Sequence, residues 1–198
     1  MQRFSRSRRA WLTGAAGATL LAAGVVRQAG AAGADHGLSK LRETPEGRAL
    51  PDGLTFTDAE GTRTDFTAFR GKGLVVNFWA TWCPPCVAEM PALDRLQAAV
   101  GGDGIAVLAL SNDRGGRAQV EPFYQRTGLR HLGIWLDPRG ATGRALEIRV
   151  LPTTLIIDRR GLEVGRLMGE AAWDQPPVIA AIRRLTRTPA IGPATTRS

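Results

Sequence analysis

Cysteine is scarce in this chain, with two residues in 198, three positions apart. That scarcity excludes two independent bridges and a complete four-cysteine zinc site. Histidine is equally scarce: His36 and His131 lie far from the cysteines and show no metal-ligand spacing, so no metal site is expected. Acidic residues are missing from both ends. Residues 1–34 hold five arginines and no acid, and residues 183–198 hold four more and again no acid. The remaining body carries 17 basic against 18 acidic residues, so the formal charge of +8 belongs to the termini. A nucleic-acid partner, which needs a basic face on the fold itself, is not expected.

What is present is the composition of a globular protein, 43% apolar, in a chain long enough for one domain with a core. Ser7-Arg8-Arg9-Ala10-Trp11-Leu12 opens it with a twin arginine and an apolar pair. An Ala/Gly-rich stretch of about 15 residues follows, then two Ala-x-Ala sites, Ala29-Gly30-Ala31 and Ala32-Gly33-Ala34. Residues 1–34 are similar to a twin-arginine export signal. The stretch is too short and too rich in small residues for a good transmembrane helix, which needs about 20 apolar residues. Membrane association would follow only if the signal stayed as an uncleaved anchor; cleavage and retention both stay open. Export predicts a periplasmic or cell-envelope location and an oxidising environment for the cysteines.

Residues 35–50 are polar, carry no apolar period and read as a linker. Residues 51–187 read as the folded domain and 188–198 as a disordered tail. Leu54-Thr55-Phe56-Thr57 and the turn at Asp58-Ala59-Glu60-Gly61 predict an opening hairpin, and Asp65 a cap on a short helical turn. Leu74 to Trp79 is almost continuously apolar, the mark of a strand buried on both faces. Val87, Met90, Leu93, Leu96 and Val100 then recur at helical spacing from Pro84, with Pro91 expected to kink the helix. Ile105–Leu110 and residues 133–136 read as strands, residues 119–127 and 141–146 as helices. Residues 154–157 and 163–167 read as antiparallel strands around a turn at 158–161, and residues 176–185 as a closing helix. The sum is an α/β domain: a mixed central sheet of about four or five strands flanked by helices, with a thioredoxin-like outline.

Cys83-Pro84-Pro85-Cys86 falls at the junction of a buried strand and a helix. Residues three apart on a first helical turn are about 5 to 6 Å apart, within reach of a disulfide. Cys83 stands where unpaired backbone N–H groups and the helix dipole favour a thiolate, the attacking species in disulfide exchange. Cys83 is thus read as the nucleophile and Cys86, one turn in, as the residue that resolves the mixed disulfide. Pro84 and Pro85 remove two N–H donors from the turn and stiffen it. A permanent staple is a poor alternative, because so short a loop removes little entropy from the unfolded chain.

The run Asn77-Phe78-Trp79-Ala80-Thr81-Trp82-Cys83-Pro84-Pro85-Cys86, followed by Glu89-Met90-Pro91, resembles the TlpA/ResA/CcmG group of thioredoxin-like proteins. A second anchor is Val150-Leu151-Pro152-Thr153-Thr154, before an apolar strand and an Asp-x-x-Gly turn. The resemblance implies that Pro152 is cis and faces the cysteine pair, and that Leu151 offers its backbone to a bound partner peptide. It also implies that Glu89 transfers protons to the buried thiol, although a solvated helix glutamate is an equally simple reading. Asn77 departs from ordinary thioredoxins, which carry an aspartate there, so their proton relay does not carry over to this position. Trp82, Pro84, Pro85 and Leu151 are the candidate substrate contacts; Trp79 could wall the site or simply pack in the core.

The function implied is a thiol:disulfide oxidoreductase of the envelope. It needs no cofactor beyond the Cys83–Cys86 pair and reduces disulfides of exported proteins such as apocytochrome c or copper-site assembly factors. A membrane thiol carrier would have to recharge it. Net oxidation of substrate thiols, a Cu(I) carrier using the same two cysteines, and a peroxiredoxin are the alternatives.

Overall fold

A computed structural model describes residues 35–187; the export signal read in residues 1–34 and the tail read in 188–198 lie outside the described residues. Eight strands and four α-helices follow one another as β1 (Leu41–Ala49), β2 (Thr55–Thr57), β3 (Arg63–Asp65), β4 (Gly73–Trp79), α1 (Pro84–Val100), β5 (Ile105–Ser111), α2 (Arg117–Thr127), β6 (Trp135–Leu136), α3 (Ala141–Ala145), β7 (Thr153–Ile157), β8 (Leu162–Met168) and α4 (Pro176–Leu185). They form one mixed sheet in the order β1-β8-β7-β4-β5-β6-β2-β3.

Strand β4 is the axis of the sheet. Every one of its residues is buried; it runs parallel to β5 and antiparallel to β7. Its alternation sends Val75, Asn77 and Trp79 to one face and Leu74, Val76 and Phe78 to the other. Val75 and Trp79 share a core with Met90, Leu93 and Leu96 of α1 and with Val178 and Ile182 of α4. Leu74, Val76 and Phe78 share the second core with Leu54, Phe56, Leu108, Leu155 and Ile157. Both faces are covered, which is why the strand carries no polar alternation.

The segment 35–50 is not a linker. Asp35 accepts from Ser39 N–H and Oγ, closing a short helical turn, and β1 then pairs antiparallel with β8 along the sheet edge. The register slips between Glu43 and Arg48, where Pro45 and a left-handed Gly47 (φ 76°) form a bulge. An edge strand whose side chains are nearly all exposed shows no apolar alternation, because backbone hydrogen bonds rather than side-chain burial hold it. With β1 and the β2–β3 hairpin included, the sheet has eight strands rather than four or five. Helix α1 begins with Pro84 and Pro85 in its first turn, where their missing N–H groups cost nothing, and runs on through Pro91 without interruption.

Candidate active site

The loop from β4 into α1 is fixed before it reaches the cysteines. Asp113, buried at the end of β5, accepts from Thr81 N–H at 2.9 Å, from Thr81 Oγ1 at 2.7 Å and from Ser111 Oγ at 2.8 Å. Cys83 N–H donates back to Ala80 O, and Cys83 then caps α1. Cys83 and Cys86 form a disulfide with their Cα atoms 5.3 Å apart. Cys83 is 6% exposed and Cys86 fully buried, so a partner can approach only the first sulfur.

Beside Cys83 lies a groove of about 450 Å³ whose walls include Trp82, Pro84, Pro85, Val150 and Leu151. Trp82 is 65% exposed, an uncommon state for so large an apolar side chain. The Leu151–Pro152 peptide bond is cis. Pro152 itself is buried, and its carbonyl accepts from Gly169 N–H just after β8. The structure therefore gathers Trp82, Cys83, Pro84, Pro85 and Leu151 on one opening, while Cys86 and Pro152 are buried beside them in the chain. Trp79 belongs elsewhere: it packs in the core against the rings of Phe123 and Tyr124, at centroid distances of 5.1 and 6.2 Å.

Glu89 is not a solvated helix residue. It is 4% exposed, one turn beyond Cys86 on the buried side of α1. Its Oε1 accepts from Asn77 Nδ2 at 2.8 Å, and its Oε2 from Trp173 Nε1 at 2.7 Å and Ala171 N–H at 3.3 Å. Burial pushes the carboxyl up to about 7, against the pull of these three donors, and the neighbouring charge of Glu170 adds to the rise. Asn77 Nδ2 also donates to Thr154 Oγ1 at 2.9 Å, while Asn77 Oδ1 is buried without a protein partner. Trp173, Thr154 and Asp113 were not legible as site residues. The one signal for Trp173 is a lone large apolar side chain in the loop of small and polar residues between β8 and α4.

Among the described residues no group of three or more His, Cys, Asp or Glu is placed to hold a metal ion, and no helix is long and apolar enough to cross a membrane.

A buried sheet, a disulfide between positions three apart at a strand-to-helix junction, and a cis-proline ahead of the antiparallel strand pair define a thioredoxin-like thiol:disulfide oxidoreductase. The Redoxin family profile matches residues 45–174, and the chain belongs to that family. It is similar to the thiol-disulfide oxidoreductase ResA of Bacillus cereus, 31% identical over 137 residues that make up 69% of this chain and 78% of the relative. Among solved structures, a secreted thiol-disulfide isomerase from Corynebacterium glutamicum superposes with a TM-score of 0.61 at 21% identity, covering 73% of this chain and 92% of that one. A thioredoxin-family thiol:disulfide interchange protein from Chlorobium tepidum gives 0.56 at 23%, covering 72% and 97%. These two likenesses speak for the fold.

Proposed function

We propose that this protein is an exported reductant of disulfides in other envelope proteins, with apocytochrome c and copper-site assembly factors as the partner classes to test. The observation that carries the reading is the asymmetric pair: an outer Cys83 on a peptide-sized groove, an inner Cys86, and a buried acid one turn behind it. In the reduced protein the Cys83 thiolate attacks one sulfur of the partner's disulfide, and the partner's other sulfur leaves as a thiolate that takes up a proton. Cys86, losing its proton, attacks the Cys83 sulfur. The mixed disulfide breaks, the partner leaves with both thiols, and two electrons have passed from the pair to the partner. A thiol donor at the membrane then returns the pair to its dithiol form.

Glu89 is the proton acceptor for Cys86 in this scheme, since an acid of about 7 exchanges protons readily near neutral pH. The Asn77 amide can serve both of its states. With Glu89 ionised, Nδ2 donates to it; with Glu89 protonated, a half-turn of the amide lets Oδ1 accept from the acid and from Thr154 Oγ1. Leu151, ahead of the cis bond, offers its backbone to the partner peptide.

Two measurements test the proposal. Cys86→Ser should accumulate a mixed disulfide with its partners in the envelope and Cys83→Ser should not; trapping by Cys83→Ser alone would reverse the assignment. Equilibrium against dithiothreitol should give a reduction potential near or below about −270 mV. A value near about −120 mV would make the protein an oxidant and refute the direction of electron flow.

A further inference from the structure

The groove at Cys83 does not end at Trp82. It continues into a second hollow, and the two share Trp82, Asn112 and Arg144. Arg149 stands on the first, Arg114 and Arg139 on the second. These four arginines come from four places in the chain: the loop after β5, the loop before α3, α3 itself, and the loop leading to Pro152. All are exposed. None is ion-paired with a carboxylate among the described residues, and residues 1–34 and 188–198 contain no Asp or Glu side chain to pair with them.

Asp137 is the one acidic residue on the walls of either hollow. It is buried, with one oxygen accepting from Ala141 N–H and the other from Gly143 N–H, so it helps to hold α3 in place rather than facing the opening. A domain whose charges nearly balance thus lines these two hollows with four exposed arginines outside any salt bridge, Arg144 and Arg149 on the one that holds Cys83, where the buried Asp137 offsets part of the charge of Arg144. In their midst stand Trp82 and Val150, 65% and 51% exposed. An aromatic anchor ringed by charge is how a protein interface combines affinity with selection of partner.

We propose that this groove selects partner proteins whose disulfide is flanked by acidic residues. The inference rests on the proposed exchange at Cys83 and adds to it the chemistry of the partner. An acidic segment lying over Trp82 would meet Arg149 on the first hollow, Arg114 and Arg139 on the second, and Arg144 where the two join. A basic segment would meet only like charge.

The test uses the reduced protein and two disulfide-bonded peptides that differ only in flanking Asp/Glu or Lys/Arg residues, with oxidation of the pair followed by stopped flow. Electrostatic steering predicts that the acid-flanked peptide reacts about tenfold faster or more at low salt. The preference should shrink towards unity at about 0.5 M salt, where the screening length falls to about 4 Å. The double variant Arg144→Glu/Arg149→Glu should invert the ratio of the two rates. Equal rates for the two peptides at low salt would overturn the proposal, as would a preference that salt leaves untouched. Hydroxyethyl disulfide, small and uncharged, separates the two levels of the argument. If the wild-type protein reduces it while ignoring peptide charge, only the selectivity fails; if the protein does not reduce it, the exchange reading fails as well.

Discussion

Glu89 makes stability depend on pH in a direction opposite to that of most carboxylates. Its acid form is favoured in the fold, from an ordinary 4.5 up to about 7. At about 1.4 kcal/mol per tenfold in proton affinity, ionising it in the folded protein costs about 3 kcal/mol more than in the unfolded chain. Between the two values the folded state binds the proton more tightly. The stabilising contribution is therefore complete below about pH 4.5, declines as pH rises, and is gone once pH passes about 7. Glu89→Gln removes the titration and keeps the size; a half-turn of the Asn77 amide lets it accept from the glutamine's NH2. The assay is urea unfolding of the disulfide-intact protein and of Glu89→Gln across pH 4 to 8.5, with the difference between them plotted against pH so that other titrations cancel. The wild type should lose about 3 kcal/mol relative to the variant over that range. A difference that stays flat within about 0.5 kcal/mol would refute the burial argument.

Three further outcomes follow from the packing. Burial pushes the Glu163 carboxyl up, but Arg166 and Arg48 together hold it below the ordinary range; Glu163→Ala strands the largely buried Arg166 and should cost about 2–4 kcal/mol in urea unfolding. A Cβ at Gly73 would overlap the Thr186 side chain at the end of α4, so Gly73→Ala should cost about 1–3 kcal/mol, and a neutral result would mean that α4 shifts freely. A chain starting at Leu50 loses β1, uncovers the β8 edge and should self-associate on size-exclusion chromatography as concentration rises, whereas a monomer of unchanged stability would mean that β1 is dispensable.

The elements that bury apolar surface on a regular period were legible before any coordinates. Residues of β4, β5, α1 and α4 announce themselves by their runs and spacings, and the Asp65 cap and the turn at Asp58 fall where turn chemistry puts them. Strand β1 carries no such signal, because its residues face solvent and its pairing partner lies some 120 residues on, at β8. The cysteine pair could be placed from local pattern alone. The setting of Glu89 could not: its burial depends on Trp173 and Ala171, more than 80 residues away, and nothing between positions 83 and 91 distinguishes a buried acid from a solvated one. Trp79 and Trp82 differ only in the direction their backbone gives them, one into the core and one onto the groove.

The bulge in β1 has a consequence for how such an enzyme meets its clients. A protein partner that is not fully folded exposes extended chain, and an extended strand can join any open sheet edge as easily as it can enter a groove. Here one outer edge is bent at Pro45 and Gly47 and studded with Arg42, Glu43, Glu46 and Arg48, while the other is only three residues long. Neither offers a stranger a straight ladder to extend. An added strand would therefore find little to pair with at either margin, which leaves the groove beside Cys83 as the more open place for a partner to lodge.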